Sequence, residues 1–137
     1  IRPLGILMYA MGKFPLLPAE DVDHSPRNRI APPAGATAAY GQYLAHGCTG
    51  CHGNDLAGQH VPGTPPSFKP AKNLTPAGLG AWKEADFRRA LREGKRPDGS
   101  DIDPFMPWKA YSTMSDEEIS ALWAYLQTLP AVASKKS

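Results

Sequence analysis

A chain of 137 residues, 42% hydrophobic and 20% charged, is long enough for one domain with a real core and has the makeup of a globular protein. Fifteen Lys and Arg against thirteen Asp and Glu leave a net charge of +2, which offers no basic stripe to a nucleic acid. Two cysteines exclude a multi-disulfide scaffold, and no apolar run reaches the 18 or so residues of a membrane span.

Fifteen prolines, about twice ordinary usage, limit regular structure and predict long, stiff connections. Residues 1–17 are apolar with Pro and Gly breaks. Residues 18–35 are polar and carry Pro18, Pro26, Pro32 and Pro33, so 1–35 is expected to be an extended arm or linker. The first residue is Ile1 rather than Met, as expected of a processed or cut chain, with a signal peptide or membrane anchor compatible ahead of it. The main domain is expected over 36–130, and 131–137 as a flexible basic tail.

Three helices are predicted within the domain. The first covers Thr37 to His46, with Thr37 as cap, Gly47 as stop, and Tyr40 and Leu44 on one face. The second covers Trp82 to Glu93, with Phe87, Ala90 and Leu91 as its apolar stripe, a Glu84–Arg88 pair and Gly94 at the stop. The third covers Asp116 to Thr128. Ser115 and Glu118 form a capping box, Asp116 and Glu117 suit the positive end of the helix dipole, and Pro130 marks the end. Its apolar positions Ile119, Leu122, Trp123, Leu126 and Leu129 recur at helical spacing, which makes Trp123 a core residue. No stretch alternates with period two, so the fold class is all-α. The connections 53–80 and 95–113 are long for a compact domain and call for a large group to pack around.

Cys48-Thr49-Gly50-Cys51-His52 supplies the reason. C-x-x-C-H is the attachment pattern of c-type haem. Two thiols add across the two vinyl groups of one haem, and two intervening residues set the sulfurs at the required separation. The adjacent His52 then faces the iron as proximal ligand. Chance placement of such a motif in this composition is on the order of one in two thousand. Three other uses of the pair fit less well. A thioredoxin-like site needs an α/β pattern that is absent. A zinc site needs a fourth ligand from His46 or His60 and strained geometry at adjacent Cys51 and His52. A plain disulfide has no evident role. His24, His46 and His60 otherwise read as surface residues.

The second iron ligand is expected to be Met106, since Met/His ligation is the pattern of electron-carrying cytochromes. Met106 lies in Asp103-Pro104-Phe105-Met106-Pro107-Trp108, where prolines stiffen the segment. Met114, its main rival, stands before the Ser115 cap, with Ile119 at the fourth helical position, so it is better placed as a hydrophobic staple. Trp82, Trp108, Tyr111 and Asn73 carry donors suited to haem propionates. Arg88, Arg89 and Arg92 could act there as charges, although a solvated helix face suits them better.

Over 36–130 the chain resembles a class I c-type cytochrome. The matching features are Gly41 and Leu44 ahead of the C-x-x-C-H motif, the Met106-Pro107 loop, and Leu122, Tyr125 and Leu126 in the last helix. The resemblance implies a class I cytochrome c fold, with first and last helices crossing at Gly41 against the Leu122/Tyr125/Leu126 face. It also implies that a residue within Pro62 to Pro66 accepts a hydrogen bond from the His52 ring, which fixes the ring and raises its basicity. Asn73-Leu74-Thr75-Pro76, Trp82 to Leu91 and Met106-Pro107-Trp108 most resemble the haem domains of membrane-anchored bacterial monohaem cytochromes.

The expected function is electron transfer by one haem c, with no enzyme activity. Two filled axial positions leave no open site for substrate. The resemblance suggests a membrane oxidoreductase or oxidase as redox partner, and membrane association through a segment not present here. Covalent haem attachment places the domain on the periplasmic side of the membrane or in an equivalent compartment. A haem enzyme or gas sensor, with a labile sixth position, is the alternative of a different class. A relay subunit within a fixed complex is a third, favoured modestly by the apolar residues 1–17.

Overall fold

The computed structural model describes residues 3–12 and 31–134, and the chain divides into two units, Ile1–Ile30 and Ala31–Ser137. In the first unit, helix α1 runs over Pro3–Ala10. Its proline stands at the first helical position, where the missing N–H costs nothing. An extended arm is therefore not what residues 3–10 form. Ile6, Leu7, Met8, Tyr9 and Met11 on or beside this helix are exposed. His24 and residues 13–30 lie outside the described residues.

The second unit holds α2 (Ala38–His52), α3 (Pro76–Leu79), α4 (Glu84–Glu93), α5 (Trp108–Tyr111) and α6 (Asp116–Thr128). No strand forms among the described residues, where Lys95 and Asp101 make an isolated bridge. The fold is all-α, as expected. Thr37 caps α2, its hydroxyl accepting from the Tyr40 N–H at 3.3 Å. The predicted stop at Gly47 does not occur, and α2 continues through the cysteine motif to His52, ending at Gly53. A glycine inside a helix costs only about 1 kcal/mol, which the neighbouring turns offset.

Helix α4 begins after Lys83, whose N–H donates to Asp86 Oδ2 at 2.9 Å, so Trp82 stays outside it. Gly94 ends it in the left-handed region at φ 67°. The capping box of α6 forms in both directions, Glu118 N–H to Ser115 Oγ at 3.1 Å and Ser115 N–H to Glu118 Oε2 at 2.7 Å. Met114, just before it, packs against the core.

The core is one cluster of Ala45, Leu56, Leu79, Phe87, Leu91, Ile119, Leu122 and Leu126. Its main seam is the crossing of α2 and α6. A Cβ placed on Gly41 would lie 1.9 Å from the Ala121 carbonyl oxygen and 2.9 Å from Tyr125 Cβ, so only glycine permits this approach. Trp123 is half-buried, with its ring 5.6 Å from that of Phe87. On the rim, Arg88 and Arg92 of α4 converge on Asp116 of α6 at 2.5 and 3.0 Å. Arg92 also donates to the Ser112 carbonyl, and Arg88 to Glu84 and Ser120. Arg88 and Arg92 thus tie α4 to its neighbours, while Arg89 pairs with Glu93 along α4 itself at 3.4 Å.

Residues 131–134 do not behave as a free tail, because the Val132 carbonyl accepts from Asn73 Nδ2 at 2.7 Å. Residues 135–137 lie outside the described residues.

Gly41→Ala is expected to destabilise the fold beyond the usual overpacking cost of about 1–3 kcal/mol, because the obstructing atom is backbone. Denaturant titration measures it. The Asp116 carboxyl is held below the usual carboxylate range by Arg92 first and Arg88 second. A carboxyl depressed on folding stabilises the protein above its unfolded value and loses that contribution as pH falls through the folded one. Asp116→Asn should therefore lower the melting temperature at neutral pH and converge with the unaltered chain in strong acid.

Candidate haem site

Cys48, Cys51 and His52 share the last turn of α2. Both thiols are free and half-buried. Burial pushes the Cys48 thiol up from its ordinary value, and neighbouring Cys51 adds to the rise. The Tyr111 phenol, from α5, is raised by partial burial and then by both cysteines, and its hydroxyl donates to the Gly47 carbonyl at 3.4 Å. This contact brings the end of the Met106 loop to the helix that carries the thiols.

His52 is buried, and its Nδ1 makes a 2.7 Å hydrogen bond to the Lys72 carbonyl oxygen. Burial lowers the ring's proton affinity, with the carbonyl opposing, so the neutral imidazole is favoured. With Nδ1 donating, only Nε2 remains for a ligand.

The acceptor is not within Pro62 to Pro66. That loop folds on itself: Thr64 N–H donates to Val61 O at 3.2 Å, Phe68 N–H to Pro65 O at 2.9 Å, and the His60 ring also bonds Pro65 O. Pro62 and Pro66 are exposed. Residues 56–59 instead pair with 71–74, through Ala71 N–H to Gln59 O and Leu74 N–H to Leu56 O, both 2.8 Å. This pairing carries the Lys72 carbonyl to the ring.

Asn73 is likewise not a propionate donor. It is 7% exposed, and its amide donates to Val132 O and Ser134 Oγ while its oxygen accepts from the N–H and hydroxyl of Thr75. All four of its bonds are used. Trp82 is half-buried against the core. Trp108 lies over Gly94, where a Cβ would meet its indole at 2.4 Å. His46 bonds its own helix carbonyls on the surface.

Met106 is half-buried against the same core cluster as Cys48. A tight turn holds it, with its N–H donating to Asp103 O at 2.9 Å and its carbonyl accepting from Trp108 N–H at 2.8 Å. Phe105 beside it meets Phe68 edge-to-face at 5.3 Å, which couples the loop after the motif to the loop of Met106.

The family described as cytochrome c matches residues 38–130. The chain belongs to the cytochrome c family. Its cytochrome c region is 37% identical over 98 residues to the fructose dehydrogenase cytochrome subunit of Gluconobacter japonicus, covering 64% of this chain and 20% of that one. It is 36% identical over 94 residues to the gluconate 2-dehydrogenase cytochrome c subunit of Pantoea cypripedii, covering 62% and 21%. A quinone alcohol dehydrogenase cytochrome c subunit of Komagataeibacter europaeus matches at 36% over 94 residues, covering 62% and 20%. The chain thus spans about a fifth of the length of these relatives.

A cytochrome c implies covalent haem c, and the donor set fits it: two unpaired thiols and a neutral imidazole with one nitrogen already committed. Sequence reasoning missed Lys72, because a backbone carbonyl has no side-chain signature. Haem should stay with the chain through denaturing electrophoresis. It should persist in Cys48→Ala or Cys51→Ala, each keeping one link, and be lost from the double variant.

Proposed function

We propose that the chain is a monohaem electron-transfer domain, with haem c held by Cys48 and Cys51 and ligated by His52 and Met106. The observation that carries this is the His52 ring, tied at Nδ1 to Lys72 O at 2.7 Å on the turn that also presents two free thiols. When bound, the haem supplies a one-electron iron couple. The chain's own part is to hold, orient and insulate. Cys48 and Cys51 fix the ring system to α2. The Lys72 carbonyl sets the plane of the His52 imidazole and raises its basicity. The Met106 turn offers a weak thioether ligand, which raises the potential relative to stronger donors. The apolar cluster around Leu56, Ile119 and Leu122 keeps water from that region.

Held by His52 and Met106, the haem would exchange electrons and its iron would offer no site to a substrate. The relatives' names as cytochrome subunits of dehydrogenases support a dehydrogenase or other oxidoreductase as partner, met through a small, transient contact. Haem c chemistry favours an extracytoplasmic site of action, with the full-length protein associated with the membrane. No helix among the described residues is long and apolar enough to cross one.

Visible spectra of the oxidised and reduced protein, with and without CO, test this. A sulfur-to-iron band in the oxidised form and no response to CO are expected. Met106→Ala should abolish the band and admit CO. CO binding by the unaltered protein would overturn the carrier in favour of a haem enzyme or gas sensor.

A further inference from the structure

Behind the Lys72 carbonyl stands a buried polar knot that electron transfer itself does not require. Asn73 is 7% exposed and Thr75 fully buried. Asn73 Nδ2 donates to Val132 O at 2.7 Å and to Ser134 Oγ at 3.3 Å. Asn73 Oδ1 accepts from the Thr75 N–H and hydroxyl, both at 2.8 Å. The Thr75 hydroxyl also meets the Val132 carbonyl at 3.2 Å and the Val132 N–H at 3.3 Å. Buried polar groups satisfied this fully make a rigid arrangement, since each broken bond leaves an unpaired buried partner.

The knot's position is what gives it a role. The Lys72 carbonyl and the Asn73 N–H belong to one planar peptide unit. Fixing Asn73 by its side chain therefore fixes the direction of the oxygen that accepts from His52 Nδ1. We infer that Asn73 and Thr75 are positioning residues for the axial histidine, and that residues 131–134 form the strap that holds them. The line of contact runs from Val132 through Asn73 and the 72–73 peptide to the His52 ring, linking the end of the described chain to the haem ligand. A well-aimed acceptor makes imidazole a stronger donor, and a stronger donor favours the oxidised metal. Loosening the knot weakens that preference and raises the reduction potential. The inference rests on His52 being the axial ligand, as proposed above.

The test uses the full haem-loaded chain carrying Asn73→Ala, Thr75→Val or Thr75→Ser. Thr75→Val keeps nearly the same shape, so it remains informative should Asn73→Ala fail to fold. Potentiometry should show Asn73→Ala and Thr75→Val shifted toward the reduced form by about three- to tenfold, or about 28–59 mV upward for one electron. Proton NMR of the reduced protein should show faster solvent exchange of the His52 Nδ1 proton in both. Thr75→Ser, which restores the hydroxyl, should return both readouts toward the unaltered values. The sulfur-to-iron band should stay in place throughout, marking the change as confined to the histidine side. A folded Thr75→Val with unchanged potential and exchange overturns the inference, as do equal shifts in Thr75→Val and Thr75→Ser. An unaltered chain that retains no haem overturns the proposed function together with it.

Discussion

Two helix backbones touch at Gly41, and the rest of the domain is arranged around that contact. The approach of α2 to the Ala121 carbonyl leaves no room for a methyl group. Side chains above and below it, Ala45 on α2 and Leu122 and Leu126 on α6, then close into the core. Because α2 runs unbroken from Ala38 to His52, the crossing at one end of the helix sets where the cysteine turn lies at the other. A rigid rod with one end clamped presents its far end in a defined place.

The loops solve a different problem. The connections 53–80 and 95–113 contain eight of the nine prolines between residues 36 and 130 and little regular structure, yet each is fastened at chosen points. The 53–80 loop is fastened by its pairing of 56–59 with 71–74 and by the Asn73–Thr75 knot. The 95–113 connection is fastened by the Lys95–Asp101 ion pair at 2.6 Å and by the seating of Trp108 on Gly94. It is also fastened by the bond from Arg92 to the Ser112 carbonyl. These attachments hold irregular backbone in one conformation without a sheet or a long helix.

What could be read from the residues alone followed the range of the signal. Ser115 and Glu118 cap α6 through contacts three residues apart, so the start of that helix was legible. The C-x-x-C-H motif was legible because its chemistry depends on side chains at fixed local spacing. The helix end at Gly47 was misjudged, since propensity is a weak prior against the surrounding turns and packing. The partner of His52 was illegible, because every residue from 53 onward carries a carbonyl and only the fold selects Lys72. Asn73 had the right chemistry for a cofactor contact but spends it on Val132 and Ser134, 59 and 61 residues away. No local pattern announces so distant a bond.

The rim and the seam of this domain should answer added salt in opposite ways. Asp116 is three-quarters exposed and gathers two arginines, so the join between α4 and α6 lies where dissolved ions reach it. Screening weakens exposed pairs as ionic strength rises. The α2–α6 seam is apolar and closed, and salts excluded from protein surfaces strengthen burial of that kind. In strong sulfate the domain therefore rests more on Gly41 and its neighbours and less on Asp116, a redistribution that leaves the helix carrying Cys48, Cys51 and His52 as the better-held of the two parts.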